Sequence, residues 1–295
     1  MLTTSPRTAM TIENVSDTAR WVAVYRAMES ERPDALFRDP YAKQLAGEKG
    51  DAIVRTLKDG RSMAWAMIVR TQVFDEIIMA EVATDGVDLV LNLAAGLDAR
   101  PWRLELPASL QWVDVDLPEI LRYKLQTLGD AKPRCRYEAL ESDLTDASSR
   151  RALFARIGAQ ARRVLVVTEG LLIYLSDADV GALASDLYAE RSFARWVIDL
   201  ASPRLLKMMM KSWGKAVASG NAPFKFAPPN GTNFFRDFGW EERAFYSTME
   251  EAERLDREMK MMWLWKFLGR FYPERMREEF RRMSGIVVLE RIEQG

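Results

Sequence analysis

The chain has 295 residues, with 42 basic and 43 acidic side chains, one cysteine (Cys135) and no histidine. Without histidine it has no Ser-His-Asp or Cys-His nucleophile system, no HExxH metal site and no imidazole acid or base, and a single cysteine excludes an internal disulfide and thiolate zinc sites. The net charge of −1 creates no overall field that would attract nucleic acid or an anionic membrane. No run reaches the roughly 20 apolar residues of a membrane span, and the N-terminus lacks the apolar run of a signal peptide. We therefore expect a soluble, cytoplasmic protein.

Helices are predicted in the first third of the chain. Ser16 or Asp17 can cap a helix whose apolar residues recur at three and four positions and which ends before Pro33. A second helical stretch covers about residues 61–83. We expect residues 1–85 to form an N-terminal helical cap.

Short apolar strands alternate with helices over residues 86–295, the predicted core. This alternation is typical of an α/β fold with an open, doubly wound, mostly parallel sheet. Pro118 suits the first position of one helix, Ser176 begins a capping box at another, and a helical insertion is expected near residues 203–237. The strands are predicted at residues 87–93, 111–116, 163–168, 195–200 and 285–291.

A second insertion, at residues 249–283, is charged and predicted to be helical. Helical spacing alone favours packing of its methionine and tryptophan side chains in the core. The alternative is a flexible apolar lid over a small organic acceptor, because these side chains adapt to irregular ligands. The side chains concerned are Met259, Met261, Met262, Trp263 and Trp265.

Asp116 ends a predicted strand, at the edge where ligands bind to open parallel sheets. It lies 20 residues after Gly96, a spacing that suits an acid accepting hydrogen bonds from both hydroxyls of a ribose. The alternative is that Asp116 caps the helix that begins at Pro118.

Two further acids are expected at the same edge. Asp143 stands where a further strand, between those at 111–116 and 163–168, would pass to its helix. Its carboxylate can accept a hydrogen bond from an adenine amine, while Leu144 presents a backbone amide. The alternative is that Asp143 shares a helix cap with Thr145 and Asp146. Glu169 emerges directly from a buried strand into an apolar loop, which favours a functional role.

The small-residue loop at residues 94–100 does not match the GxGxxG pattern of dinucleotide-binding folds. Gly96 and its small neighbours allow close approach of a ligand to the backbone. Asp98 and Arg100 argue against a loop that cradles a pyrophosphate. The loop therefore favours an adenosine ligand without phosphates over a dinucleotide.

Residues 91–104 read L-N-L-A-A-G-L-D-A-R-P-W-R-L, which resembles the N-L-G-A-G-L-D-T-R-P-Y-R-L signature of the leucine carboxyl methyltransferase-like family, including polyketide O-methyltransferases. The resemblance continues at residues 113–119 and 168–175 and begins in the segment at 16–40, so that it covers about residues 12–190. It implies a Rossmann-like class I methyltransferase fold. It also implies S-adenosyl-L-methionine as the cofactor, S-adenosyl-L-homocysteine as its product, and no metal.

The resemblance also implies roles for single residues. Arg70 is similar to the arginine that pairs with the methionine carboxylate of the cofactor, and Glu169 to the acid near its amine. Asp116 matches the ribose-binding acid, and Asp143 with Leu144 the adenine contact. In the loop that approaches the cofactor, Gly96 is retained, whereas Ala94 stands where the family usually has glycine.

These features together predict a methyltransferase that acts on the carboxylate or hydroxyl oxygen of a small organic acceptor, with no nucleic acid or membrane as partner. A carboxylate or an acidic phenol is favoured, because a carboxylate is already ionised, whereas an ordinary hydroxyl needs help from Tyr174 or a nearby acid. Arg20 and Arg26 can anchor an anionic acceptor, but a solvated surface position is their alternative. The competing functions are a non-catalytic module that binds S-adenosylmethionine and, less favoured, a nicotinamide-dependent oxidoreductase.

Overall fold

A single mixed sheet organises the part of the chain that the computed structural model describes, namely residues 16–56, 63–219, 223–259 and 261–293. Its strands are β1 (Leu89–Leu93), β2 (Gln111–Asp116), β3 (Arg136–Glu141), β4 (Val164–Thr168), β5 (Phe193–Ala201), β6 (Trp240–Ser247) and β7 (Ser284–Arg291). The strand order is β3-β2-β1-β4-β5-β7-β6. Strands β1 to β5 are parallel, and β7 runs antiparallel between β5 and β6. The predicted mostly parallel, doubly wound sheet is confirmed.

Helices flank this sheet and cover one of its edges. They are α1 (Ser16–Ser30), α2 (Ala42–Thr56), α3 (Ala64–Thr84), α4 (Arg100–Arg103), α5 (Pro118–Leu128), α6 (Ala147–Gln160), α7 (Asp177–Ala189), α8 (Pro203–Ser219), α9 (Thr248–Arg254), α10 (Met262–Gly269) and α11 (Glu274–Arg281). Pro118 occupies the first turn of α5, and Ser176 forms a capping box with Asp179 at the start of α7, both as predicted. Short 3-10 turns lie at Leu172–Tyr174 and Gly231–Phe238.

The core lies on both faces of the sheet because β1 and β4 are buried along their whole length. Successive side chains of a strand point to opposite faces. Leu91 therefore packs with α6 and α7 on one face, and Val90 packs with α3 on the other. A third apolar cluster joins α1 and α2 to α5. This packing holds the ends of the parallel strands in fixed positions.

The helical prediction for residues 249–283 needs correction. The structure divides this segment into α9, α10 and α11, with Asp256 and Met261 in the left-handed region (φ 52° and 65°) between the helices. Core packing is wrong for most of the methionine and tryptophan side chains there. Met262 is buried, but Met259, Met261 and Trp263 are 37%, 59% and 68% exposed, and the side chain of Trp265 lies outside the described part.

The division into a cap (residues 1–85) and a core (residues 86–295) stays a prediction. Helices α1 and α2 pack against each other, whereas α3 packs directly on the sheet through Val69 and Val73. Residues 1–15 and 57–62 of the cap lie outside the described residues. Among the described helices, none combines the length and the apolar character needed to cross a membrane.

Candidate active site

A cavity of about 620 Å³ lies at the carboxyl edge of the parallel strands. Its volume is within the range of small-molecule and cofactor sites. Side chains that follow or end β1, β2, β4 and β5 line it, among them Asp98, Asp116, Glu169 and Asp199. Helix α1 closes one side of it with Thr18 and neighbouring residues. The sheet edge predicted from the sequence is therefore the edge at which the cavity opens.

The loop after β1 approaches both the cavity and α1 closely. Gly96 has φ +52°, and a Cβ atom added to it would lie 3.0 Å from the Cβ of Ala19. Ala94 also has a left-handed φ, of 53°, although this conformation costs an L-residue about 1–2 kcal/mol relative to glycine. The alanine that departs from the family signature thus occupies a conformation that glycine adopts more readily.

Asp116 is bound to the backbone of this loop. Its Oδ2 accepts a hydrogen bond from the Gly96 amide at 2.6 Å, and its Oδ1 accepts one from the Leu117 amide at 2.7 Å. The N-cap of α5 is Leu117, without a capping side chain, so the capping role considered for Asp116 is not realised. Burial raises the pKa of Asp116, and the two amides oppose that rise. Each carboxylate oxygen keeps a lone pair for a further donor.

Asp143 and Leu144 line the cavity in the loop between β3 and α6. The Oδ1 atom of Asp143 accepts from the amide and hydroxyl of Thr145, at 2.9 and 2.7 Å. The cap of α6 is Asp146 alone, so Asp143 does not share it. Arg150 donates to the Leu144 carbonyl at 2.7 Å and so fixes the turn beside the cavity.

Arg70 lies between two acids at the floor of the cavity. Its Nε is 3.0 Å from Oε1 of Glu169, and its Nη1 is 3.1 Å from Oδ2 of Asp199. The other carboxylate oxygen of Glu169 is 2.8 Å from Nη1 of Arg100, which in turn is 2.7 Å from Asp98. The result is a continuous chain of alternating charges at the ends of β1, β4 and β5, in which Arg100 is buried and the other side chains are partly buried.

These ion pairs keep the acids ionised. Burial would raise the pKa of Glu169, but the guanidinium groups of Arg100 and Arg70 hold it below its ordinary value. The same holds for Asp98, where burial is outweighed by Arg100 and by more distant cations. Both carboxylates therefore remain negative at neutral pH.

Asp199 and the structural role of Arg100 were not predicted from the sequence. Asp199 lies near the end of buried strand β5, so the rule that pointed to Asp116 and Glu169 could have found it. Arg100 also binds Asp75, with Nε 2.6 Å from Oδ1. Asp75 lies within α3, where its sequence position gives no signal of this contact.

Tyr174 lines the cavity, and its ring centroid is 5.7 Å from that of Phe224. Burial raises the pKa of its hydroxyl group, although a hydrogen bond with Thr18 and the charge of Arg70 oppose the rise. The phenol is therefore protonated at neutral pH and can donate a hydrogen bond. It is a poor base, which weakens the role considered for it with a hydroxyl acceptor.

The structure separates the two arginines of α1. Arg20 stacks on the ring of Tyr123, 3.7 Å from its centroid, and is not among the described residues that line the cavity. Arg26 does line the cavity, but its Nε is 2.9 Å from Asp39 and its Nη2 donates to the Leu97 carbonyl at 2.6 Å. A solvated position is wrong for both side chains, because each packs into a neighbouring element. The charge of Arg26 is already paired.

The sequence of the chain matches the family model described as "Leucine carboxyl methyltransferase" over residues 19–187. The chain belongs to this family. A relative from Parafrankia sp. (strain EAN1pec) is 39% identical over 183 residues, covering 59% of this chain and 58% of the relative. A relative from Mycobacteroides abscessus is 34% identical over 203 residues, covering 65% and 62%. Both are named as candidate S-adenosyl-L-methionine-dependent methyltransferases. The matched stretch spans less than two thirds of the length of either relative.

Solved structures agree with the fold of this leucine carboxyl methyltransferase family member. A DUF574 family protein from Streptomyces avermitilis has a TM-score of 0.58 at 14% identity, covering 93% of this chain and 97% of that one. A protein from Thermobifida fusca has a TM-score of 0.57 at 12% identity, covering 98% and 99%. The Rossmann-like fold class predicted from the sequence is confirmed. Within the described ranges, acidic and cysteine side chains form no group of three or more that could hold a metal ion.

Proposed function

We propose that this chain is an S-adenosyl-L-methionine-dependent methyltransferase that transfers a methyl group to a carboxylate or hydroxyl oxygen of a small organic acceptor. One observation carries the proposal. A single cavity in a member of this family gathers Asp143, Asp116 and the Arg70–Glu169 pair along one sheet edge.

The order of these residues along the edge fits the parts of the cofactor. Asp143 follows β3, Asp116 ends β2, and Glu169 follows β4, while the sheet runs β3-β2-β1-β4. Adenine, ribose and the methionine moiety are joined in this same order in S-adenosylmethionine. We call the part of the cavity formed by Arg70, Asp116, Asp143 and Glu169 the cofactor end.

The chemical character of the cofactor end fits the same ligand. The Asp116 carboxylate can accept from ribose hydroxyls, and Asp143 can accept from the adenine amine. Arg70 donates to Glu169 and Asp199 through Nε and Nη1, so its Nη2 can pair with a carboxylate of the ligand. Ionised Glu169 can pair with an ammonium group. The left-handed turn around Gly96 lets the backbone approach the ligand without a side chain in between.

The protein's part in the reaction is alignment and exclusion of water. When bound, S-adenosylmethionine supplies a methyl group that the acceptor oxygen takes by in-line displacement, while sulfur keeps the electron pair of the broken carbon–sulfur bond. A carboxylate acceptor has no proton to lose. With a hydroxyl acceptor, Asp199 or water must take the proton, since Tyr174 is already protonated.

Calorimetry with S-adenosylmethionine, S-adenosylhomocysteine and NAD tests the cofactor. We expect both sulfur compounds to bind and NAD not to, because Asp98 and Arg100 occupy the loop where a dinucleotide fold needs free backbone amides. If neither sulfur compound binds, the proposed methyltransferase function is wrong.

Turnover separates an enzyme from a non-catalytic module that only binds the cofactor. S-adenosylhomocysteine should accumulate from S-adenosylmethionine only when an acceptor mixture is added. If S-adenosylhomocysteine forms at the same slow rate with and without every acceptor tried, the result would favour the binding module.

A further inference from the structure

Methionine side chains form much of the apolar wall of the cavity. At least seven of the chain's 15 methionines line it, and they come from several separate segments of the chain. We call these side chains the methionine end: Met63, Met67, Met209, Met249, Met259, Met262 and Met283. Thioether side chains are flexible and polarizable, so they adapt to apolar and aromatic ligands.

The sheet topology puts Met249 and Met283 of the methionine end beyond the cofactor end. Ala201 of β5 pairs with Ser284 of β7, and Ser247 of β6 pairs with Gly285. Met283 and Met249 adjoin these pairs, on the β5-β7-β6 side of the edge. The cofactor end stands on the opposite side, from β3 to β4. The cavity can therefore hold two ligands side by side along one edge.

None of the cations on the described cavity wall offers an unpaired, buried charge to a ligand at the methionine end. Each arginine there is already paired with at least one carboxylate, at 3.1 Å or less: Arg26 with Asp39, Arg70 with Glu169 and Asp199, Arg100 with Asp75, Asp98 and Glu169, and Arg150 with Asp186. Lys225 also lines the cavity, but its side chain is exposed, so its ammonium group stays hydrated and supplies no buried charge. Arg70 is in addition assigned to the carboxylate of the cofactor, so an anionic group among the methionines would lose its water without gaining an unpaired, buried cation from the protein.

We propose that the methionine end binds an uncharged, largely apolar acceptor whose reacting oxygen is a hydroxyl, as in a phenol, and that it excludes carboxylate acceptors. This inference rests on the proposed methyltransferase function, and it selects between the two acceptor classes left open by that function. The apolar wall favours burial of a ring system, while the lack of an unpaired, buried cation among the described lining residues opposes burial of a carboxylate.

A pair of probes with the same ring system tests the charge preference. We would measure binding of 2-naphthol and 2-naphthoate near neutral pH by calorimetry. The titrations would use the protein alone, the protein with S-adenosylhomocysteine, and the protein with sinefungin, whose amine supplies a positive charge near the place of the sulfonium. We expect 2-naphthol to bind at least about tenfold more tightly than 2-naphthoate in all three.

A new charge on the wall should reverse this preference. Met209→Lys is expected to strengthen 2-naphthoate binding and weaken 2-naphthol binding, which shifts their ratio at least about tenfold. Met208→Lys is the matched control, because Met208 is the adjacent residue of α8, is 54% exposed and does not line the cavity. Met209→Leu should keep the preference of the wild type.

Three results would overturn the proposal: equal or tighter binding of 2-naphthoate to the wild type, binding of neither probe, or the same ratio in Met209→Lys and Met208→Lys. If Met209→Lys does not fold, the ratio in the wild type and in Met209→Leu still decides the question. Failure of S-adenosylhomocysteine to bind would remove the proposed function, whereas the titrations of the protein alone would still report on the methionine end.

Discussion

The cofactor end and the methionine end lie on the same sheet edge but are built from different parts of the chain. Asp116, Asp143 and Glu169 stand at or next to strand ends, and partly buried ion pairs such as Glu169–Arg100 hold their neighbours in place. The methionines instead come from several helices and from the connections between elements. The first region is fixed by strand register and charge pairing, and the second by side chains that can change rotamer. This contrast suits the proposed cofactor, held in one pose, beside an acceptor to which the wall can adapt.

Removal of Asp116 should have the largest effect on the cofactor end. Asp116→Ala loses hydrogen bonds to the ribose and the bond from the Gly96 amide, so we expect S-adenosylhomocysteine to bind about 1–3 kcal/mol more weakly. Calorimetry measures the loss. The control is Asp146→Ala, which removes the exposed cap of α6 and should lower stability slightly but leave the affinity intact. Unchanged affinity in Asp116→Ala would mean that Asp116 only holds the loop.

Substitution of Arg70 should affect binding of the amino-acid part of the ligand but not of its adenosine part. Arg70→Met removes the proposed partner of the amino-acid carboxylate, so we expect about tenfold to hundredfold weaker binding of S-adenosylhomocysteine. 5′-Methylthioadenosine lacks the amino-acid moiety, and its affinity should stay the same in Arg70→Met but fall in Asp116→Ala. Equal losses for both ligands in Arg70→Met would show that Arg70 acts only through its ion pairs with Glu169 and Asp199.

The same contrast explains what could be predicted from the sequence. Asp116 and Glu169 were found because a charged residue at the end of a buried apolar strand is a local pattern in the sequence, and parallel strands bring such residues to one edge. Asp199 was missed although it obeys the same rule near the end of β5. Asp75 could not be found, because its contact with Arg100 depends on how α3 packs on the sheet.

The acceptor side could be predicted only in outline. The methionine and tryptophan cluster around Met262 is visible in the sequence. Its helical spacing predicts one continuous helical segment, but the left-handed residues Asp256 and Met261 break that segment. Met63, Met209 and Met283 are far apart in the sequence, and only the tertiary structure brings them to one cavity. The sequence allows Arg26 to anchor an anion. In the structure Arg26 is already paired with Asp39, and this contact could not be predicted because it depends on the turn after α1.

A substitution at the far end of α3 should change folding stability without changing ligand binding at either end of the cavity. Burial raises the pKa of Glu81 from 4.5 to about 7, and the neighbouring Asp85 adds to the rise. Between these pH values the folded state keeps a proton that the unfolded state has released, so stability falls as the pH rises from about 4.5 to 7. Glu81→Gln lacks this titration and should gain about 1–2 kcal/mol relative to the wild type between about pH 5 and pH 8.

Urea unfolding at both pH values measures this effect, and calorimetry checks that Glu81→Gln binds S-adenosylhomocysteine like the wild type. A stability difference between variant and wild type that does not change with pH would contradict the raised pKa. A change in affinity would show that the far end of α3 is coupled to Arg70.

The smallest effect is expected at Ala94, in the loop that borders the cofactor end. Its φ of 53° favours glycine, but glycine also has more freedom in the unfolded chain, so Ala94→Gly should stabilise the protein by only about 0.5 kcal/mol. Ala95 is the matched control, because it is buried and is not among the described residues with positive φ. Ala95→Gly should therefore destabilise the protein by about 1 kcal/mol.

Binding of S-adenosylhomocysteine gives the two glycine variants a second readout. If strain at Ala94 only lowers stability, Ala94→Gly should keep the wild-type affinity within about threefold. If the strain instead holds the loop ready for the ligand, Ala94→Gly should gain stability and lose affinity together, because the freed loop must be ordered again on binding. Destabilisation of both variants alike would contradict the strain itself. The outcome decides whether the rigid character of the cofactor end extends to its backbone or rests on the charged side chains alone.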